Sequence, residues 1–354
     1  MKRFIIIKRY ILIASLLILV SGSILIAYFC DKYNCDQYNT ESITVVLVGD
    51  ILLDRGVKEK IEENGYAYPF KQIKNEIRKA DIAFGNLECP ITISGVPALK
   101  ESRILFKADP ENAASLKDAG FDILNLANNH TMDYGREGME NTKEALKQVG
   151  ILTLGAGENR NSARKPVYME QSGVTIGFLG FSVFPTEGYF YFDDRMDISQ
   201  LVIEDLSDEV RNAKAACDFL IVSFHWGREF DCYPTTSQKE AAHLAIDSGA
   251  DVVVGHHPHV LQGIETYKGK PVFYSLGNFV FDRQQPLETD KTILLRLNLK
   301  GNELDRIEIM PLIIVDCQPV KPDSDISDSI IKNLIKYSEG MNTDFDTIYP
   351  IETP

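Results

Sequence analysis

Short apolar runs alternate with amphipathic stretches along most of the chain, and the runs end on polar residues. They are ITVVLVGD (43–50), ADIAFGNLE (80–88), FDILNLANNH (121–130), CDFLIVSFHWG (217–227) and ADVVVGHHPH (250–259). Each is rich in β-branched and aromatic residues and nearly free of charge, which predicts strands of a sheet covered on both faces. Helical periodicity fills the gaps at about 68–79, 110–119, 136–148, 199–216 and 237–248. Strands alternating with helices of that length predict an α/β architecture.

A second texture interrupts this one. PVYMEQSGVTIGFLGFS (166–182), QGIETYKGKPVFYSLGNFVF (262–281) and TILLRLNLKGNELDRIEIMPLIIV (292–315) each read as two strands across a turn, at Ser-Gly, Lys-Gly-Lys and Gly-Asn respectively. Hairpins of this kind predict a second, more antiparallel sheet packed on the first. The stretch 316–354 is a polar tail with one helix, about 324–338.

The first thirty residues follow neither pattern. Lys2, Arg3, Lys8 and Arg9 precede an uncharged run from Tyr10 to Phe29. At 1.5 Å per residue such a run spans about 30 Å, the thickness of a bilayer core. Tyr28 and Phe29 before Cys30 suit neither a signal peptidase nor lipid attachment, so the segment reads as an uncleaved signal-anchor. The four cations keep the N-terminus in the cytoplasm. The expected organisation is therefore a cytoplasmic tip and single transmembrane segment over 1–30, a linker over 31–42, one domain over 43–315 outside the cell membrane, and the tail.

Charge narrows the partners. The chain carries 37 basic and 51 acidic residues, and without the four N-terminal cations its net charge is −18. This argues against nucleic acid or an anionic lipid surface as the main partner. The six cysteines (30, 35, 89, 217, 232 and 317) show no metal-binding Cys-x-x-Cys spacing. Cys217 and Cys232 flank a predicted strand and sit too far apart to pair, and only Cys30 with Cys35 are close in sequence.

The strand ends carry the chemistry: Asp50, Glu88, Asn128, Asn129 and His130, His225, and His256, His257 and His259. Ligands bind at the carboxyl edge of open α/β sheets. One aspartate there is as well explained by helix capping. Five ends bearing Asp, Glu, Asn and His, with no Cys, fit one or two divalent transition metals such as Mn, Zn or Fe. In extended backbone alternate residues share a face, so His257 and His259 are the expected ligands, with His256 supporting them. Arg55 either offers a planar fork for a carboxylate or phosphate or packs at the surface. Asp54 is either a further oxygen ligand or a helix cap. Trp226, the one tryptophan, either floors a pocket or packs. The aromatic stretch PTEGYFYFDD (185–194) either grips an extended polymer or covers the core, and His243 lies mid-helix in a packing position.

Taken in order, GD, NLE, NNH, HWG, GHHPHV and LGNF over about residues 43–282 resemble the bacterial capsule-synthesis CapA family, also called the poly-γ-glutamate synthesis PgsA family. That resemblance implies the four-layer α/β/β/α sandwich of calcineurin-like metallophosphoesterases and a membrane-anchored protein. It implies that Asp50, Asn129, His225, His257 and His259 hold metal and that Glu88 stands where a bridging aspartate would. It implies that His130 protonates a leaving group or steadies the transition state, and that Asn278 matches the family's Gly-Asn-Phe. Two departures stand out. The phosphoesterase Asp-x-His is here Asp50-Ile51-Leu52, and the bridging residue is glutamate.

The expected function is an extracytoplasmic protein of poly-γ-glutamate or capsule biosynthesis with a metal-dependent hydrolase or transferase site. Its expected partners are an anionic envelope polymer or its precursor and a membrane synthase complex. The competing readings are a general metal-dependent phosphoesterase and a non-enzymatic polymer-binding scaffold.

Overall fold

The computed structural model describes residues 42–185, 198–282, 288–343, 345 and 348–350. The expected membrane segment, Cys30, Cys35 and residues 186–194 of the aromatic stretch lie outside them. The described cysteines, Cys89, Cys217, Cys232 and Cys317, are free thiols. Among the described residues no helix is long and apolar enough to cross a membrane.

Strands β1 (Ser42–Ile51), β2 (Ile82–Leu87), β3 (Ile123–Asn125) and β4 (Leu152–Leu154) run parallel and side by side. The other edge of β1 is shared. Over its first half it pairs antiparallel with β12 (Lys291–Lys300), followed by β13 (Glu303–Val315) and β14 (Gln318–Val320). At its end it pairs parallel with β11 (Asn278–Val280), which sets Asn278 opposite Asp50. β15 (Ile348–Pro350) adds to β13.

The second sheet has the order β5 (Val167–Gln171), β6 (Val174–Ser182), β7 (Phe219–His225), β8 (Val252–His256), β10 (Lys270–Phe273) and β9 (Ile264–Tyr267). Its centre, β6-β7-β8-β10, is parallel, and β5 and β9 are antiparallel edges.

This corrects the expectation of one parallel and one antiparallel sheet. The three hairpins exist with the expected turns, but they are shared out: β5–β6 and β9–β10 flank the second sheet, and β12–β13 extends the first. The parallel runs are divided in the same way, with 43–50, 80–88 and 121–130 in one sheet and 217–227 and 250–259 in the other. An apolar run reports burial on both faces and carries no label for which sheet it joins.

Period-two alternation lets each central strand feed two cores. Val45, Leu47, Phe84 and Ile123 meet Ile176, Phe178, Ile221 and Val254 between the sheets, where the Phe84 and Phe178 rings stack with centroids 5.6 Å apart. Val46 and Val48 face outward onto α1 (Gly56–Asn64), α2 (Lys74–Ile77), α3 (Asn112–Ala119) and α4 (Gly135–Gln148). A short turn of helix, α5 (Arg160–Ala163), precedes β5. Leu220, Val222 and Val253 face outward onto α6 (Ile203–Lys214) and α7 (Thr236–Asp247). The layers therefore run helix, sheet, sheet, helix. Each fully buried Val, Leu or Ile contributes about 1.5–3 kcal/mol.

Two helical expectations change. The single helix over 68–79 is a 3₁₀ turn at Tyr68–Phe70, which contains Pro69, followed by the four-residue α2. The buried Phe70, Ile73 and Ile77 are reached by the two turns separately. Helix α1 is absent from the apolar pattern because only its Val57 and Ile61 are buried. The polar tail carries the expected helix, α8 (Ser324–Tyr337), capped by Asp323, whose Oδ1 accepts from Ile326 N at 2.9 Å. Its Ile330 and Leu334 are buried in the core between the sheets, and β14 and β15 follow β13's edge. The tail is thus part of the body of the fold.

Gly49 permits the closure of β11 onto β1. A Cβ there would lie 1.9 Å from the Gly277 carbonyl oxygen, which instead accepts from Asp50 N at 3.0 Å.

Candidate metal centre

Four strands, β1, β2, β7 and β8, end at the same cleft. β1 delivers Asp50, β2 delivers Asn86 with Glu88 one residue beyond its end, β7 delivers His225 and β8 delivers His256. His225 and His256 continue the series of side chains that point from the second sheet toward the first. Asn129 and His130 follow β3, and His257 and His259 follow β8. Asp50, Glu88, His225 and His256 are fully buried.

Asp50 is held from three directions. Its Oδ1 accepts from Asn86 Nδ2 at 2.9 Å and its Oδ2 from His257 N at 3.1 Å. His256 Nδ1 lies 3.4 Å from Oδ1 without hydrogen-bond geometry, and His259 Nδ1 lies 3.5 Å from Oδ2. Burial pushes the carboxyl up, but His256, His259 and the Asn86 amide outweigh it and hold Asp50 below the usual carboxylate range.

Glu88 has the opposite surroundings. Neither of its buried oxygens receives a hydrogen bond among the described residues, although His225 Nε2 is 3.3 Å from Oε1 and His259 Nδ1 is 4.0 Å from Oε2. Burial, then the charges of Asp50 and Glu229, push its carboxyl well above the ordinary value.

Two of the imidazoles, His225 and His257, are kept neutral. Burial, and next the neighbouring histidines, hold His225 well below the usual histidine range, and the same causes bring His257 down to about 3. His225 Nε2 lies 2.9 Å from Asn129 Oδ1 and 3.2 Å from His257 Nδ1. His259 Nδ1 lies 2.9 Å from Asn278 Oδ1.

The alternation argument for the histidine cluster does not survive. Strand β8 stops at His256, and His257 and His259 adopt φ of 96° and 60°, so neither is in extended backbone. Both rings nevertheless face the cleft, with centroids 5.8 Å apart, because the loop turns rather than because the strand alternates. His256 lies against Asp50.

Three sets of side chains have ligand atoms within 4.8 Å of one another: Glu88, His225 and His257; Asp50, Glu88 and His259; and Glu229, His257 and His259. A buried carboxylate with no donor is costly unless a cation answers it. Neutral imidazoles and ionised carboxylates are also the forms a metal binds. The residues present therefore fit a divalent metal. Oxygen and nitrogen donors without sulfur suit Mn, Zn or Fe.

His130 sits beside this cluster, its Nε2 3.3 Å from Asn129 Nδ2. Behind it Nδ1 lies 3.1 Å from Asp133 Oδ2 and 3.2 Å from Lys100 Nζ, and Lys100 is ion-paired with Asp133. Asn128 clamps the loop: its Nδ2 donates to Leu87 O at 2.8 Å, and its Oδ1 accepts from His130 N at 3.1 Å.

Other expected residues are engaged elsewhere. Arg55 is ion-paired with Asp282 and lies over the Phe106 and Phe281 rings, 4.8 and 5.2 Å from their centroids; it is at the rim, not on the ligand atoms. Asp54 accepts from Arg55 N and Lys107 N and so fixes loops. Trp226 stacks on Phe224 at 4.5 Å and donates to Tyr274 O at 2.9 Å, and it also lines a cavity of about 490 Å³ on the far side of Phe184. His243 pairs with Glu265 at 2.9 Å, remote from the cleft.

The sequence reading missed four residues. Asn86 shares β2 with the strand end that was recognised. Asp133, three residues after His130, and Glu229, four after His225, had only that spacing as a signal. Lys100 had none, because it arrives from a loop distant in sequence.

Residues 44–283 match the family model described as bacterial capsule synthesis protein PGA_cap. The chain is 36% identical over 299 residues to the PGA biosynthesis protein CapA of Bacillus subtilis (strain 168), covering 84% of this chain and 78% of that one. It is 34% identical over 301 residues to the capsule biosynthesis protein CapA of Bacillus anthracis, covering 83% and 72%. The 5′-nucleotidase precursor from Thermus thermophilus aligns with a TM-score of 0.45 at 12% identity, over 84% of this chain and 59% of that one. On the matched residues and the two CapA relatives, the chain belongs to the bacterial capsule synthesis PGA_cap family.

Proposed function

We propose that this chain is a membrane-anchored, extracytoplasmic protein of poly-γ-glutamate or capsule biosynthesis. In this reading its cleft is a metal-dependent hydrolase or transferase site of metallophosphoesterase type. The observation that carries it is Glu88, a fully buried carboxylate without a hydrogen-bond donor among the described residues, set beside His225, His257 and His259. Asp50, Glu88, Asn129, His225, His257 and His259 would hold one or two divalent ions. A bound ion supplies a polarised carbonyl or phosphoryl oxygen and an activated water.

The chain's own residues do the rest. His130, oriented by Asp133 and Lys100, exchanges a proton with the group that leaves, while its Nε2 faces the cleft. Arg55, at the rim and ion-paired with Asp282, could meet an anionic group of the polymer only by sharing its guanidinium with that carboxylate. The N-terminal uncharged run supports the anchor. A general phosphoesterase is the weaker reading, since Leu52 replaces the histidine of Asp-x-His and is fully buried in the outer core.

The test is elemental analysis of the purified chain beside a His257→Ala/His259→Ala double variant. The expected result is one or two transition-metal ions per wild-type chain and none in the variant. Wild-type chain that stays metal-free after reconstitution with Mn, Zn and Fe would leave a polymer-binding scaffold as the account.

A further inference from the structure

We infer that Glu229 is an additional metal ligand, one that would join His257 and His259 from the exposed side of the cluster as Glu88 would from the buried side. The inference rests on the metal reading above. Glu88 belongs to the set with His225 and His257 and to the set with Asp50 and His259. Glu229 reaches one histidine of each set, His257 and His259, with ligand atoms within the same 4.8 Å. Glu88 is fully buried and Glu229 is exposed, so the two carboxylates approach from different sides.

The placement of Glu229 is built into the loop. Phe230, the next residue, has φ 64° and donates its N–H to Pro258 O at 2.8 Å, between the two histidines. His257 and His259 have positive φ as well. Strained non-glycine backbone on two facing loops persists only where surroundings impose it, and it clusters at functional sites. The surroundings here are a chain of amides. Gln262 Nε2 donates to Asp231 O at 2.7 Å, Gln238 Nε2 donates to Gln262 Oε1 at 2.8 Å, and Gln238 closes the capping box of α7 with Thr235. The loop bearing Glu229 is thereby tied to a helix end and to the histidine loop together.

Glu229 also answers a deficit. With Leu52 in place of a histidine, the first strand offers Asp50 alone. A carboxylate from the loop after β7 adds a donor beside His259, the histidine that also shares a set with Asp50.

The experiment is a Mn(II) titration of metal-stripped full-length chain, with free Mn(II) read by electron paramagnetic resonance. It compares wild type, Glu229→Gln, Glu229→Asp and, as a control, Glu240→Gln, an exposed carboxylate on α7. The expected result is a Kd for the most weakly held ion about tenfold higher in Glu229→Gln, partly recovered in Glu229→Asp and unchanged in Glu240→Gln. A Glu229→Gln titration that overlays wild type overturns the inference and leaves the metal reading standing. A wild-type chain that takes up no metal overturns both.

Discussion

At its carboxyl edge the first sheet presents oxygen donors, with Asp50, Asn86 and Glu88 on or just after β1 and β2 and Asn129 after β3. The second sheet presents nitrogen at the matching edge: His225 and His256 on β7 and β8, His257 and His259 in the loop beyond. Neither half is electrostatically content alone. Glu88 is buried without a donor among the described residues, and burial, then the neighbouring histidines, holds His225 and His257 below the usual histidine range. With Asp50 and Glu88 on one sheet and His225 and His256 on the other, the site exists only once the sheets pack, and a shared cation would answer both.

The comparison breaks most severely if the second sheet loses its central donor. His225 lies near Asn86, Asn129, Glu88 and His257. His225→Ala is expected to weaken metal binding by roughly 100-fold or more, read by calorimetric titration. Unchanged affinity would remove the second sheet from the centre.

Proton linkage sharpens the contrast, because Glu88 titrates in the opposite sense to His225 and His257. His225 and His257 have depressed pKa values in the fold. The stability they permit is full above about pH 6.5, the unfolded value, and is lost as pH falls from there toward their folded values, about 3 for His257. Glu88 has a raised folded value, so its burial penalty is absent at low pH and grows as pH rises from about 4.5, the unfolded value, toward the folded one. In the metal-free chain the two effects oppose each other between pH 7 and 5. Glu88→Gln should therefore steepen the acid loss by on the order of 1–2 kcal/mol per pH unit, and raise stability at pH 7. Urea unfolding at both pH values measures this, and parallel slopes in wild type and variant would show Glu88 to be unperturbed.

The smallest expected effect is at the seam. Asn278 orients His259 from β11. Asn278→Ala should cost about tenfold in metal affinity with the fold intact, as judged by titration and circular dichroism.

Much of this was legible in residue order. Asp50, Glu88, Asn129, His225, His257 and His259 all stand at or just beyond strand ends, and apolar runs with short polar endings mark such ends. What escaped was long-range. Lys100 reaches His130 across a loop whose pattern says nothing of its destination. Glu229 depends on the φ of Phe230, which no propensity anticipates. The partition of the strands between two sheets depends on side-chain fit at a shared core, where Phe84 meets Phe178, and a buried Val reads the same in either sheet. The choice of His257 and His259 came from an alternation that the positive φ values contradict; the two rings face the cleft because the loop turns.

The splice of β11 and β12 along one edge of β1 has a consequence for the order of manufacture. Asp50 is made early, but the strands that cover its edge follow about 230 residues later. At 5–20 residues per second, a ribosome needs about 10–50 s to supply them. Throughout that interval the first strand is an open hydrogen-bonding edge, prone to pairing with whatever strand is nearest. The protein's most exposed moment is therefore its own synthesis, and a chain truncated before residue 300 should be found in inclusion bodies or bound to a holdase.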